Sequence, residues 1–232
     1  MHNQMIPTPD TSCLSEDIFQ DVYEPAEDTF ALLDALEEDK DKLCNFADER
    51  LLITAEIGCG SGCVSSFFKS GILQNRPTIH FMTDISSAAC NAAAYVVNKN
   101  REVYNDRSGA FLTAQTCFLE GLRIKKSIDV LLFNPPYVPT EFEEIPKEAN
   151  IASTWAGGAD GMNVTSQLLE ILDDILSADG IFYMVAVARN NPAKIQNYMS
   201  QFGYNSKEVL RRKAGRETLC VLCFSRSNAL FS

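Results

Sequence analysis

The segment NPPY at residues 134–137 places one amide side chain and one aromatic ring directly after the apolar run DVLLF. Proline cannot donate a backbone hydrogen bond and fixes its own φ, so two consecutive prolines end a strand in a stiff turn. Such turns at strand ends are where α/β proteins keep their chemistry. The residue types therefore predict a site at Asn134 and Tyr137.

This turn is suited to an acceptor that is a planar NH2 group, whose conjugated lone pair is weakly nucleophilic. Asn134 Oδ1 and the carbonyl of Pro135 can each accept one N–H bond, which aims the nitrogen and stabilises the charge that develops on it. Tyr137 offers a flat face for the planar group. We predict catalytic roles for Asn134, Pro135 and Tyr137. The alternative is a rigid turn that only ends a strand.

A second candidate site is the glycine-rich segment AEIGCGSG at residues 55–62. Gly58 and Gly60 permit close approach of a ligand to the backbone, but the spacing differs from the GxGxxG of pyrophosphate turns. Asp84 ends the next apolar run, where a carboxylate can accept from ribose hydroxyls. Glu56 adds a negative charge that favours a cationic ligand such as S-adenosylmethionine. A tight turn without a ligand is the alternative.

The elements that position these residues alternate between strands and helices. Short apolar runs predict strands at residues 51–57, around 78–84, around 110–118 and at 128–133, with a fifth at IFYMVAVA. Helical patterns follow Pro25 and also include TSQLLEILDDILSADG, with Gly180 as its C-terminal cap. SKEVLRRKA and ETLCVLCFS predict an antiparallel hairpin. The fold class is α/β, a doubly wound, seven-stranded and mostly parallel sheet.

The length of 232 residues and the 46% hydrophobic content suit one α/β domain, which we place at residues 21–232. Residues 1–20 are polar, with two prolines, and predict a flexible tail. We find no signal peptide pattern and no apolar run long enough to span a bilayer. The expected location is therefore cytoplasmic, or nuclear as well.

Eight cysteines are present, and most lie in apolar or small-residue segments. Without a secretory signal, buried reduced thiols are the expected state. Cys220 and Cys223 form a CxxC within a predicted strand, where residues three apart face opposite sides. With only two histidines in the chain, we predict no metal site.

The formal net charge of −11 argues against a broad nucleic-acid surface, which needs clustered lysine and arginine. The one basic cluster is RRKAGR at residues 211–216. It is either a solvated strand end or a binding patch.

NPPY together with EIGCGSG resembles the class I S-adenosylmethionine-dependent methyltransferases that act on planar nitrogen. The segments DVYEPAEDTFALLDALE, LLFNPPYVPT and WAGGADGMNV resemble more specifically the eukaryotic release-factor glutamine methyltransferases, the HemK2/Mtq2 group. The similarity runs from about Asp21 to Phe224. NPPY alone is shared with adenine-N6 and guanine-N2 methyltransferases.

The resemblance implies S-adenosylmethionine as cofactor and N5 methylation of the glutamine in the Gly-Gly-Gln loop of the class 1 translation termination factor. It also implies a heterodimer with Trm112, a small zinc-binding activator that adds a strand to a sheet edge. The expected edge runs from about Ala110 to Phe118. The family further implies activity on a histone lysine and, with dispute, on DNA adenine.

The site residues that the resemblance implies fall into two sets. For the cofactor they are Thr29, Glu56, Gly58, Gly60, Asp84, Cys117, Phe118 and Asn134, with Tyr23 and residues 24–29 closing over it. For the substrate they are Asn134, Pro135, Pro136, Tyr137, Val138 and Trp155, with Gly157 and Gly158 in the loop of Trp155. Thr29 could instead be an ordinary helix residue, and Trp155 a buried anchor.

One position departs from the family pattern. The tip of the third strand usually carries an acid that recognises the adenine amino group, whereas this chain has Cys117 followed by Phe118. Backbone groups and packing against Phe118 would then recognise adenine, or Glu120 or Asp106 would replace the acid.

Two other functions compete with protein-glutamine methylation. A DNA or RNA adenine-N6 methyltransferase shares NPPY, but this chain shows no added domain to grip nucleic acid for base flipping. A non-catalytic scaffold would keep the fold and lose the chemistry. Cys117 favours the scaffold, and the intact NPPY segment counts against it.

Overall fold

The structure is a computed structural model that describes residues 5–15, 21–46, 50–136, 162–228 and 231. Its centre is a seven-stranded sheet in the order β3-β2-β1-β4-β5-β7-β6. Only β7 runs against its two neighbours, and the other described pairings are parallel. The predicted fold class is confirmed, and the fourth strand lies beside the first.

The strands are β1 Leu52–Ile57, β2 Thr78–Asp84, β3 Ala110–Gln115, β4 Ile128–Phe133, β5 Leu176–Val187, β6 Asn205–Ala214 and β7 Glu217–Ser225. The α-helices are α1 Glu27–Glu38, α2 Lys40–Asn45, α3 Cys63–Ser65, α4 Ser87–Val103, α5 Asn163–Ile175 and α6 Pro192–Ser200. A π-helix at Ser66–Ile72 continues α3.

Both faces of the sheet are covered by apolar packing, and β5 shows how the sequence divides between them. Ile181, Tyr183 and Val185 point into the layer formed with α1 and the π-helix. Phe182 and Met184 alternate with them and point into the layer formed with α5 and α6. A strand buried on both faces has no polar side, which explains its continuous apolar sequence.

The helix predicted to end at Gly180 ends instead at Ile175, and β5 begins at Leu176. The prediction follows from the apolar run LLEILDDIL, which fits a helical period. It is wrong because Leu176 pairs with Ile128 at the start of β4, which begins a strand there. Gly180 lies inside β5, where a Cβ would stand 2.8 Å from the carbonyl of Ile128. Close backbone approach, and no helix cap, accounts for this glycine.

The first predicted helix is divided in two at Asp39. The buried Asp39 carboxylate accepts from the Tyr183 hydroxyl at 2.9 Å and from Lys207 Nζ at 2.7 Å. These partners lie 144 and 168 residues away in sequence. The division therefore comes with tertiary contacts that a local helical pattern does not reveal.

Part of the segment predicted as a flexible tail packs against α4. Asp10 and Asn100 exchange two hydrogen bonds, at 2.7 and 2.9 Å, and the Tyr104 hydroxyl donates to the carbonyl of Pro7. Cys13 and Leu14 are buried together with side chains of α4. Residues 5–14 therefore have fixed neighbours, whereas residues 1–4 and 16–20 lie outside the described part.

The loop before β3 is held by a buried ion pair. Lys69 of the π-helix donates to Asp106 at 2.8 Å, and neither side chain is exposed. Ser70 donates to the same carboxylate at 3.0 Å. β3 pairs with β2 alone in the described sheet, so its other side is an open edge, as predicted.

Candidate active site

The carboxyl ends of β1, β2 and β4 meet around a cavity of about 260 Å³. Predicted site residues that line it are Tyr23, Gly58, Gly60, Asp84, Cys117, Phe118, Asn134, Pro135 and Pro136. Others that line it are Asp21, Asp28, Ile57, Ile85, Ser86, Ala89, Thr116, Phe133, Val164 and Gln167. No lysine or arginine is among the described lining residues, so the charged groups facing the cavity are carboxylates.

The glycine turn follows β1 directly and forms one wall. Gly58, Gly60 and Gly62 have positive φ angles of 67°, 47° and 74°, a region that favours glycine. The Gly60 N–H donates to Asp84 Oδ2 at 3.1 Å. The turn is thus tied to the end of β2 by the carboxylate that the sequence singles out.

Asp84 is buried at the end of β2, beside the cavity. Its other oxygen accepts from the Ser86 N–H at 2.9 Å, just before α4 begins. Burial raises the pKa of Asp84, and its hydrogen bonds from the backbone work in the opposite direction. The carboxylate is held rigidly where it can accept from two neighbouring hydroxyl groups of a ligand.

Asn134 lies at the end of β4 with its amide orientation set by Asp28. Asn134 Nδ2 donates to Asp28 Oδ2 at 3.0 Å, and the Tyr23 hydroxyl donates to the same carboxylate at 3.0 and 3.2 Å. A carboxylate accepts only, so the NH2 group of Asn134 must face it. Asn134 Oδ1 is buried and has no hydrogen-bond partner among the described residues.

An unpartnered buried carbonyl oxygen is costly unless a ligand completes it. Asn134 Oδ1 therefore marks a place for an incoming N–H donor. Sequence reasoning missed Asp28 as the residue that orients it. The only signal was its place within the segment expected to close over the cofactor.

Two predicted cofactor residues do not border the cavity. Thr29 is buried in the first turn of α1, where its hydroxyl accepts from the Ala26 N–H at 3.3 Å. Glu56 is buried behind the glycine turn, where its carboxyl accepts from the Ser65 hydroxyl. Burial raises the pKa of Glu56 to about 8. Glu56 therefore supports the wall from behind.

The Glu56 carboxyl begins a chain of buried polar groups. Ser65 Oγ lies 2.9 Å from His80 Nε2, and His80 Nδ1 lies 2.7 Å from Thr54 Oγ1. Burial lowers the pKa of His80 to about 3, which keeps the ring neutral. The chain connects β1, β2 and α3 beneath the cavity.

The segment after β3 forms the opposite wall. Phe118 is buried and Cys117 is exposed, and both line the cavity together with Thr116. Asp106 cannot replace the missing acid, because it is sealed in the ion pair with Lys69. Glu120 does not border the cavity in the described structure.

The predicted residues Tyr137, Val138, Trp155, Gly157 and Gly158 lie outside the described residues. The described part of the chain contains no group of three His, Cys, Asp or Glu side chains arranged for a metal ion. Cys220 and Cys223 are free thiols buried in β7. None of the described helices is both long and apolar enough to cross a membrane.

The sheet order, the glycine turn after β1 and the acid at the end of β2 define the fold of the class I methyltransferases. The Mtq2–Trm112 complex of E. cuniculi has this fold, with a TM-score of 0.63 at 22% identity over 90% of this chain and 100% of that chain. The N-terminal domain of human METTL16 in complex with SAH gives a TM-score of 0.54 at 16% identity, over 89% and 73% of the two chains.

The particular family follows from sequence relatives. The eRF1 methyltransferase catalytic subunit mtq2 of Schizosaccharomyces pombe is 62% identical over 94% of this chain and 95% of the relative. Human methyltransferase HEMK2 is 37% identical over 98% of this chain and 100% of the relative. No family model matches the chain. The chain belongs to the Mtq2/HEMK2 family of methyltransferases.

Proposed function

We propose that this chain transfers a methyl group from S-adenosylmethionine to the side-chain nitrogen of the glutamine in the Gly-Gly-Gln loop of the eukaryotic class 1 release factor. The observation that carries the proposal is the buried, unpartnered Oδ1 of Asn134. An amide NH2 supplies the donor that this oxygen lacks. The name of the S. pombe relative supports the release factor eRF1 as the substrate.

The cavity fits S-adenosylmethionine in its chemistry. Asp84 is placed to accept from the ribose hydroxyls, the glycine turn lets the ligand approach the backbone, and Phe118 offers an apolar ring for adenine. The carboxylate of Asp21 suits a ligand that carries an amine and a sulfonium, whereas that of Asp28 is engaged by Asn134 and Tyr23. When bound, this cofactor supplies an electrophilic methyl carbon.

The residues of this chain hold the acceptor nitrogen in place. Asn134 Oδ1 accepts one N–H bond of the glutamine amide, and the carbonyl of Pro135 accepts the second. Both acceptors place negative charge beside a nitrogen that becomes positive as the new bond forms, which stabilises the transition state. Asp28 fixes the orientation of Asn134 before the substrate arrives, so little reorganisation is needed.

We further propose that a Trm112-like activator covers the open edge of β3. That strand has no second neighbour in the described sheet, and Leu112 on it is 45% exposed. An exposed apolar edge strand invites pairing with another chain. The E. cuniculi Mtq2 structure contains Trm112.

The activator proposal predicts that Leu112→Arg abolishes co-purification of the two proteins. The arginine side chain would lose water where the activator packs beside β3, and burying its charge carries a desolvation penalty. Thr113→Arg, which changes the neighbouring exposed residue on the other face, is the matched control. Undiminished capture of the activator by Leu112→Arg would exclude this edge as the docking surface.

The experiment that tests the function is a transfer assay with methyl-labelled S-adenosylmethionine. The chain is co-expressed with the activator and offered release factor with either Gln or Ala in the Gly-Gly-Gln loop. We expect label on the Gln form alone. Label on both forms would contradict amide methylation, and label on neither, with the cofactor still bound, would point to a different amine acceptor.

A further inference from the structure

Residues 189–216 reverse the charge of the protein. This stretch contains seven Lys or Arg and a single acid, Glu208, whereas the whole chain has 20 basic and 31 acidic residues. It includes the RRKAGR cluster, which the catalytic site does not use. Here Arg189, Lys194, Arg211, Lys213 and Arg216 together are called the basic corner.

The basic corner lies at the same end of the sheet as Asn134. The register runs from Phe133 at the end of β4 to Met184, then to Leu222, then to Glu208. β6 therefore lies three strands from β4, roughly 14 Å away. It continues past that level to Ala214, so Arg211 and Lys213 lie beyond the level at which β4 ends.

Two residues of the corner, Arg211 and Lys213, share one face of the sheet. Arg211 and Lys213 are opposite Cys220 and Thr218, on the face where Leu222 packs toward α6. Lys194 lies in the first turn of α6. Arg212, between the two, points to the other face and pairs with Asp34 of α1.

Only two of the five cations of the basic corner form ion pairs with described residues. All five of its residues are exposed. Arg211 pairs with Glu208, and Arg189 pairs with Glu217 at 2.9 Å. Lys194, Lys213 and Arg216 have no ion pair with any described residue. Like charges held close together repel, so nothing in the fold itself calls for this cluster.

We infer that the basic corner docks an acidic surface of the protein that carries the acceptor glutamine; this inference rests on the proposed function. A neutral amide offers two N–H bonds, which cannot distinguish one folded protein from another. Recognition therefore needs a second contact surface, and charge complementarity both selects a partner and speeds its arrival. The acidic cavity, with Asp21, Asp28 and Asp84, disfavours the phosphates of a nucleic acid.

The test compares steady-state kinetics of the activator complex on two substrates, the intact release factor and a short peptide containing its Gly-Gly-Gln loop. The variant is Lys213→Glu with Arg216→Glu, and the milder Lys213→Gln with Arg216→Gln guards against misfolding. Lys125→Glu makes a charge reversal at the opposite end of the sheet, beside the start of β4, and serves as the control. Cofactor affinity and melting temperature report the fold.

We expect the KM for the intact factor to rise about tenfold in the Glu variant and less in the Gln variant, with kcat unchanged. Added salt should raise the wild-type KM and have little effect on the variant. The peptide kinetics should stay the same in all proteins, and Lys125→Glu should match the wild type.

Normal peptide methylation with an unchanged KM for the factor would overturn this inference alone. Binding of single-stranded RNA to the wild type and to the Glu variant is measured as well. If the Glu variant loses RNA binding and keeps the wild-type kinetics on the release factor, the corner is a nucleic-acid site and this inference is overturned. Absence of transfer by the wild-type complex to either substrate would overturn the proposed function and this inference together.

Discussion

The two sides of the cavity differ in how their polar groups are satisfied. On the β1–β2 side, Asp84 accepts from Gly60 and Ser86, so turn, strand and helix are joined before any ligand arrives. On the β4 side, Asn134 donates to Asp28 but leaves its own oxygen without a described partner. The polar groups of the first side are already hydrogen-bonded within the protein, whereas the second side has an acceptor that a bound donor would complete. That difference separates binding from catalysis.

Asn134→Ala breaks the β4 side and should have the largest effect. Removing the oxygen that holds the acceptor nitrogen should lower kcat by about 10²- to 10³-fold, the range for losing one preorganised transition-state contact. The cofactor Kd should change little, because the Asp84 side is intact. Transfer assays and equilibrium binding measure the two effects. A variant with full turnover would exclude the proposed mechanism.

Asp84→Ala breaks the β1–β2 side and should have the opposite pattern. Loss of a charge-assisted acceptor should weaken cofactor binding by about 1–3 kcal/mol, with kcat at saturation nearly unchanged. Glu120→Ala removes an exposed acid that does not border the cavity and is the matched control. Calorimetric titration with the cofactor product distinguishes them, and equal affinities would remove the ribose assignment from Asp84.

Asp28→Asn sharpens the comparison without removing any contact atom from Asn134. An amide at position 28 can present either NH2 or oxygen, so the orientation of Asn134 is no longer fixed. We expect kcat to fall about tenfold with little change in cofactor affinity. Glu27→Gln, at the exposed neighbour, should match the wild type. A change in cofactor Kd with unchanged kcat would assign Asp28 to the other side.

The pH dependence of stability tests the role of Glu56, which is buried behind the glycine turn on the β1–β2 side. Its folded-state pKa of about 8 lies above the ordinary value of 4.5, so between these values the folded protein holds a proton that the unfolded chain releases. Its contribution to stability is fully present below pH 4.5 and is lost as pH rises through 8. The slope is at most about 1.4 kcal/mol per pH unit.

Glu56→Gln should therefore flatten the decline of stability between pH 6.5 and 9. His80 does not titrate strongly there, because its pKa is lowered in the fold and it is mostly neutral in the unfolded chain above 6.5. Urea denaturation at several pH values gives the comparison. Parallel curves for the two proteins would show that the Glu56 carboxyl is not the group responsible.

Local patterns in the sequence predict the strands and the position of the site well. Asn134, Asp84 and the glycine turn each follow an apolar run, and parallel strands bring their carboxyl ends together. The contact between Asp28 and Asn134 spans 106 residues and leaves no local pattern. The same holds for the burial of Glu56 and Asp106, because both depend on what packs over them.

The predicted helix boundaries are wrong for a related reason. The residues before Leu176 satisfy a helical period, and so do those around Asp39, but pairing with Ile128 ends the first pattern and contacts with Tyr183 and Lys207 accompany the break in the second. Tertiary contacts override local preference at such places. The contacts of Asp10, Cys13 and Leu14 with α4 are likewise invisible in a polar, proline-containing segment.

The order of the strands has a consequence for synthesis. β1, β2 and β3 are neighbours at one side of the sheet, and all three lie within the first 115 residues. They can therefore pair with one another before β4 is synthesised. Chains fold progressively as they leave the ribosome. The β3 edge, which no later strand of the described sheet covers, is therefore translated before Asn134.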